Sequence, residues 1–162
     1  MAAQLNYNYS TPKGIAGGKA DIAFDEVVTR QNESEDGVMK YGMGVVKGVA
    51  AGHGVKVPGT ASVAADFEGI VLHAENTEQD MKGKVVVKKN ASLGVMKKGH
   101  VWARLSDGAE AVYGATAYLI VDAGAGEVGA FTNTANGAKT IDVGAKFGNH
   151  VDAANGIAVI VL

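Results

Sequence analysis

Apolar positions along this chain come in short runs broken by glycine, and no long segment sustains the 3.6-residue period of an amphipathic helix. Residues 38–49 are rich in valine, with Gly42, Gly44 and Gly48 between. A turn over 51–54 leads to Val55-Lys56-Val57 and then Pro58-Gly59. Residues 67–72 read as a strand. So does Lys84-Val85-Val86-Val87-Lys88, whose flanking lysines are placed to guard a strand edge. Residues 74–83 are polar and predict a loop or one helical turn. Over 100–105, Val101, Ala103 and Leu105 fall on one face, and Trp102 and Arg104 on the other. Further strands are expected at 118–121, 128–132 and 140–143, the last two separated by Asn136-Gly137, a hairpin-turn signal. The closing run 157–162 is unbroken apolar sequence and predicts a strand buried in a sheet. Strands spaced at roughly 8–12 residues with glycine turns predict an all-β fold with little helix. The expected architecture is a compact β-barrel, or a β-tulip or sandwich-like domain, over 37–162. A flexible N-terminal arm over 1–20 and an acidic loop or short helix over 21–36 precede it.

Composition agrees with this pattern. The chain has 162 residues, 23 of them glycine and 2 proline, and glycine in such excess serves turns and bulges rather than helix interiors. With 47% hydrophobic residues the chain can bury a core without disulfide or metal, and it has no cysteine to make a disulfide or a thiolate site. A formal net charge of -2 argues against nucleic acid as a partner. The start, Met1-Ala2-Ala3-Gln4-Leu5-Asn6, lacks the basic and apolar regions of a signal peptide, and no stretch approaches a membrane span. A soluble protein made in a bacterial cytoplasm is expected, with no membrane partner. The N-x-S triplets at Asn8, Asn32 and Asn90 then carry no glycan.

Catalytic motifs fail on their context. Gly124-Ala125-Gly126-Glu127-Val128-Gly129 matches G-x-G-x-x-G, but a dinucleotide site needs a helix to begin there, and Phe131–Gly137 is a poor helix former. His53, His73, His100 and His150 are never three or four residues apart, so no compact ligand set forms. No G-x-S-x-G elbow is present. The carboxylate pairs Asp25-Glu26 and Glu35-Asp36 lie in a segment expected to be exposed, where ordinary pKa values make poor general acids. Asp80-Met81-Lys82 and the Val-Met-Lys triplets are similar to the lysine of biotinyl or lipoyl hairpins, but those modules are smaller. Gly37-Val38-Met39-Lys40-Tyr41-Gly42 echoes Gly94-Val95-Met96-Lys97-Lys98-Gly99, too short a likeness to establish duplication. No enzyme, no cofactor and no metal site is expected.

Contacts with other proteins are the remaining chemistry. Residues 82–104 carry Lys82, Lys84, Lys88, Lys89, Lys97, Lys98 and Arg104 with no acidic residue between, against the acidic 21–36. Such polarity suits either a solvated strand face or a complementary patch for a lattice partner. Leu5, Tyr7 and Tyr9 alternate with polar residues and share one face of an extended arm that ends near Pro12. Trp102, the single tryptophan, is expected to be at least partly buried, in the core or at a subunit contact. The contact candidates are therefore Leu5, Tyr7, Tyr9, Pro12, Lys84, Lys88, Lys97, Trp102 and Arg104.

A resemblance sharpens this reading. Gly99-His100-Val101-Trp102-Ala103-Arg104, then Ala111-Val112-Tyr113-Gly114, Ala117-Tyr118-Leu119, Gly126-Glu127-Val128 and the apolar closing strand occur in order. With the N-terminal Tyr-Asn-Tyr-Ser-Thr-Pro they resemble the structural cement, or head-decoration, proteins of tailed bacteriophages. This chain departs from that pattern at Ala103, where valine is expected, and in its acidic insertion after the arm. The resemblance implies a non-enzymatic virion protein on the outer capsid surface. It would add to the expanded, DNA-filled head, often as a homotrimer, bridge neighbouring capsomers and bind the major capsid protein. The rival readings are a tail-tube or other self-assembling virion protein, and a β-sandwich module for carbohydrate. Aromatics at 6% of the chain speak against the second.

Overall fold

The computed structural model describes residues 14–50, 52–74, 86–151 and 156–162. Their strands are β1 (Glu26–Asn32), β2 (Gly44–Lys47), β3 (Gly54–Lys56), β4 (Phe67–Val71), β5 (Ser92–Lys98), β6 (His100–Arg104), β7 (Thr116–Ile120), β8 (Phe131–Thr132), β9 (Thr140–Phe147) and β10 (Ile157–Val161). Among the described residues helix is limited to single 3-10 turns at Ala64–Asp66, Ala123–Ala125 and Gly137–Lys139. The fold is mostly β, as the glycine-broken apolar pattern predicts.

The first five strands close into a barrel in the order β1-β3-β2-β4-β5. Its seam pairs β1 with β5 antiparallel from Glu26↔Lys98 to Gln31↔Ser92, and β1 meets β3 in parallel at Gln31↔Gly54. The last five form a second sheet in the order β6-β10-β9-β7-β8. That sheet curls until its ends touch: Leu105, just past β6, bridges Phe131 of β8, and Ser106 N–H donates to the Phe131 carbonyl at 2.9 Å. Gly99 alone carries the chain from β5 into β6. Its φ of 123° lies where a side chain is rarely tolerated, and a Cβ there would crowd Asp25. Leu162 N–H donates to the Gly99 carbonyl at 3.0 Å and fastens the C-terminal end to this corner.

Strands β4 and β5 are buried on both faces. Side chains alternate along a strand, so Val71 and Val95 enter the barrel with Met39, Val45, Val55 and Leu93. Their neighbours Ile70 and Met96 point the other way, onto Val101, Leu119, Phe131, Phe147 and Ile160 of the second sheet. One wall thus serves two cores. This is why Gly69-Ile70-Val71-Leu72 and Leu93-Gly94-Val95-Met96 read as apolar runs without alternation. β10 lies between β6 and β9 with Ala158 and Ile160 fully buried, as the closing apolar run predicts.

Several local expectations need correction. The segment 21–36 is neither a loop nor a short helix through its length, because it contains β1, the seam strand of the barrel. The inward positions of β1 are Val28, Arg30 and Asn32, and only the first is apolar, so the sequence shows no strand-like alternation. Polar partners stand in for apolar contacts. Arg30 is held by Glu68, while Asn32, with no exposed surface, donates to the Lys88 carbonyl at 2.9 Å and accepts from Ser34 N–H at 2.8 Å. The β structure therefore starts before Gly37, and residues 14–20 of the expected arm are built into the fold as well. Val86–Lys88 form no strand; Val87 is buried, and its carbonyl accepts from Gly37 N–H at 3.0 Å. Asn136-Gly137 is not a hairpin turn, since β8 and β9 lie on opposite sides of β7 and the connection must cross that strand's end. Gly94–Lys98 lies in β5 while residues 37–42 form turns, so their sequence echo has no shared structure.

Candidate interaction surface

Residues 14–20 lie along the outer edge of β6 and saturate it. Gly17 N–H donates to the Trp102 carbonyl at 2.6 Å, Trp102 N–H to Gly18 at 2.8 Å, and Ala20 N–H to His100 at 2.9 Å. Arg104 N–H donates to Gly42 at 2.9 Å. On its other side Gly17 accepts from His73 N–H at 2.8 Å, which joins this strap to the barrel. Gly14 lies against the Trp102 indole so closely that any side chain there would overlap the ring. Trp102 is accordingly half-buried, as expected for the single tryptophan, and its cover comes from the chain's own strap.

Arg104 shares the Trp102 face of β6 and is also engaged within the chain. Its Nε donates to the Tyr41 carbonyl at 3.0 Å, and Nη1 lies 3.9 Å from Glu127, which also pairs with Lys40. Lys97 Nζ lies 3.7 Å from Glu68, the same carboxylate that receives Arg30 at 2.6 Å. Lys98 pairs with Glu26 at 3.5 Å and Lys89 with Glu35 at 2.7 Å. The hydrogen bond from Lys89 to Glu35 holds its ammonium above the usual lysine range. The basic stretch and the acidic segment, far apart in sequence, therefore face each other across the β1–β5 seam and its neighbourhood. Among the described residues of the basic stretch, Lys89, Lys97, Lys98 and Arg104 have acidic partners within the chain. Lys88 is likewise not free of partners. Leu5, Tyr7, Tyr9, Pro12 and Lys84 lie outside the described residues.

Four of the nine large exposed apolar side chains among the described residues fall within one short stretch of sequence. Ile15 is 57% exposed, Phe24 87% and Val27 41%, and Ile22 is as exposed as in an open peptide. All four come from the strap, the bend that follows it, and the first turn of β1. The bend is braced at its base. Lys19 pairs with Asp25, Asp21 pairs with His100 Nδ1, and Ala23 N–H donates to Asp21 at 3.0 Å. The His100 contact, then the Ala23 bond, hold the Asp21 carboxyl below the usual carboxylate range. The sequence signal was Asp21-Ile22-Ala23-Phe24-Asp25, two apolar residues framed by acids, which overall acidity concealed.

The G-x-G-x-x-G match is a turn in the structure. Gly124 N–H is capped by Asp122 at 2.6 Å in a single 3-10 turn, too short for a phosphate-binding helix. Among the described residues no three His, Asp or Glu side chains converge as metal ligands.

Comparison with known proteins agrees in kind. A solved chain from the capsid of Myoviridae phage XM1 is 15% identical, covering 99% of this chain and 97% of its own length with a TM-score of 0.69. That likeness establishes the shared fold. No curated protein sequence matches. The family model described as structural cement protein (E217 gp24/Pam3 gp6) matches residues 3–162, nearly the whole chain. A closed barrel joined to a second five-stranded sheet, and a family match from end to end, place this chain among the phage structural cement proteins.

Proposed function

We propose that this capsid-stabilising virion protein sits on the outer surface of the phage head as a homo-oligomer, with the trimer favoured, and bridges neighbouring subunits of the shell. The observation that carries the reading is the cement-protein match over residues 3–162. The architecture supports it. Two cores joined through one shared wall make a stiff block, and a stiff block transmits load between the capsomers it touches. A modest interface per copy is multiplied by the symmetric repetition of the lattice. No reaction is needed for this role, and the protein acts as a binder, not an enzyme.

The anchor we propose is the N-terminal segment, with Leu5, Tyr7, Tyr9 and Pro12 as its contact residues. It joins the body at Gly14, on Trp102. Ordering an extended segment costs about 1–2 kcal/mol per residue in backbone entropy. Burying one Leu and two Tyr at roughly 25 cal/mol per Å² offsets much of that cost, and strand pairing with an edge of the partner adds hydrogen bonds. The test is deletion of residues 2–12, followed by binding to heads that lack the protein and by heat challenge of the decorated heads. Loss of binding and protection with the fold intact supports the arm as anchor. A truncated protein that decorates and protects heads as well as the full chain refutes it.

A further inference from the structure

We infer that the bend carrying Ile22 and Phe24, flanked in sequence by the exposed Ile15 and Val27, is a second docking element that inserts into an apolar depression on the shell. The inference rests on the capsid-binding reading above and names a surface for it. Twenty-seven apolar residues among those described are buried, yet these four stand open within one stretch of 13 residues, 15–27. Loops usually turn polar side chains to water, and a contiguous exposed apolar patch marks an interaction site. The bend is also rigid for a loop. Ion pairs Lys19–Asp25 and Asp21–His100 close its base, the strap before it is bonded to β6, and β1 after it is zipped into the barrel seam. A side chain presented from a fixed frame binds with little further entropy loss, as an interface anchor requires.

The occupant follows from where the patch lies. Residues 1–13 join the described structure at Gly14, beside Ile15 and on Trp102. With the arm anchored on the shell as proposed above, a bend at the base of that arm is placed to meet the same partner. Phe24 and Ile22 are close to fully exposed, so they fit a concavity lined by apolar side chains, with a rim able to accept the paired charges of Asp21, Asp25 and Lys19.

The experiment replaces Ile22→Ser and Phe24→Ser together in the full chain. Both side chains are exposed, so the fold and its melting temperature are expected to stay at wild-type values. The dissociation constant for heads lacking the protein, read by co-sedimentation, is expected to rise by about 30-fold or more, the scale of losing one interface anchor. Light scattering of the free protein is expected to give an unchanged oligomeric mass. Unchanged head affinity overturns the inference, and so does loss of the oligomer, which would make a second copy of this chain the occupant. Should the double variant unfold, the milder Phe24→Gln, checked for wild-type circular dichroism, is measured in its place. Failure of the wild-type protein to bind heads would instead sink the cement reading, so the two failures are told apart.

Discussion

Removing the Glu68 carboxylate should destabilise the barrel more than any other single charge change among the described residues. Arg30 on β1 and Glu68 on β4 meet across β5, with Arg30 Nε at 3.0 Å and Nη2 at 2.6 Å from Glu68 Oε1. Their side chains are 16% and 8% exposed, whereas Lys97, the third member, is 37% exposed. At about 4 Å and an effective dielectric near 20, attraction between unit charges is about 4 kcal/mol. In the native protein, desolvation of both ions cancels much of that gain. Glu68→Ala removes the attraction but leaves the desolvation of Arg30, which is tied into the β1–β5 seam. Lys97 simply turns to water. Breaking such a pair costs about 3–5 kcal/mol, and the residual exposure of Arg30 places this case near 3. For a chain of this size that lowers the melting temperature by roughly 6–12 °C. Urea titration and calorimetry at fixed protein concentration measure it. The companion variant Arg30→Met with Glu68→Leu deletes both charges and should lie within about 1 kcal/mol of wild type. A Glu68→Ala loss below 1 kcal/mol, or a double variant as unstable as the single one, refutes the reasoning.

Other outcomes follow from single contacts. Gly14→Val should push the strap off Trp102 and shift the tryptophan emission to the red, with circular dichroism unchanged; an unshifted spectrum would mean the indole is not covered there. Trp102→Ala should cost about 1–3 kcal/mol, less than full aromatic burial because the ring is only partly covered, and equal stability in urea would show the contact to be idle. Phe131→Ala, at the meeting of the sheet ends and the shared wall, should cost about 3–5 kcal/mol in the same assay, and a loss under 1 kcal/mol would contradict that packing. Glu33 accepts N–H bonds from Ala50 and Val49, which hold its carboxyl below the usual glutamate range. A depressed folded-state pKa contributes stability above the ordinary glutamate range near 4.3 and loses it as pH falls through the folded value. Proton-exchange protection of the Val49 and Ala50 amides should therefore fall on acidification, with a midpoint below that of free glutamate, and should lose this pH dependence in Glu33→Gln.

What the sequence by itself determined is whatever local periodicity and turn chemistry write into neighbouring residues. The all-β class, the two faces of 100–105 and the buried closing strand were legible, because one face of each strand is uniformly apolar. The cement-family likeness was legible too, in motifs spread along the whole chain. The tertiary structure alone decided the rest. Strand β1 was hidden because its inward face is Val28, Arg30 and Asn32, and a polar residue can point inward only when Glu68 and the Lys88 carbonyl, far away in sequence, arrive to satisfy it. Lys97 and Arg104, read as contact candidates, are ion-paired with Glu68 and Glu127 for the same reason: charge along a chain does not reveal which opposite charge the fold sets beside it. The exposure of Ile22 and Phe24 was equally illegible. An apolar residue carries the same signal in sequence whether it is bound for a core or for a surface, and only the packing of both sheets without these two side chains left them outside.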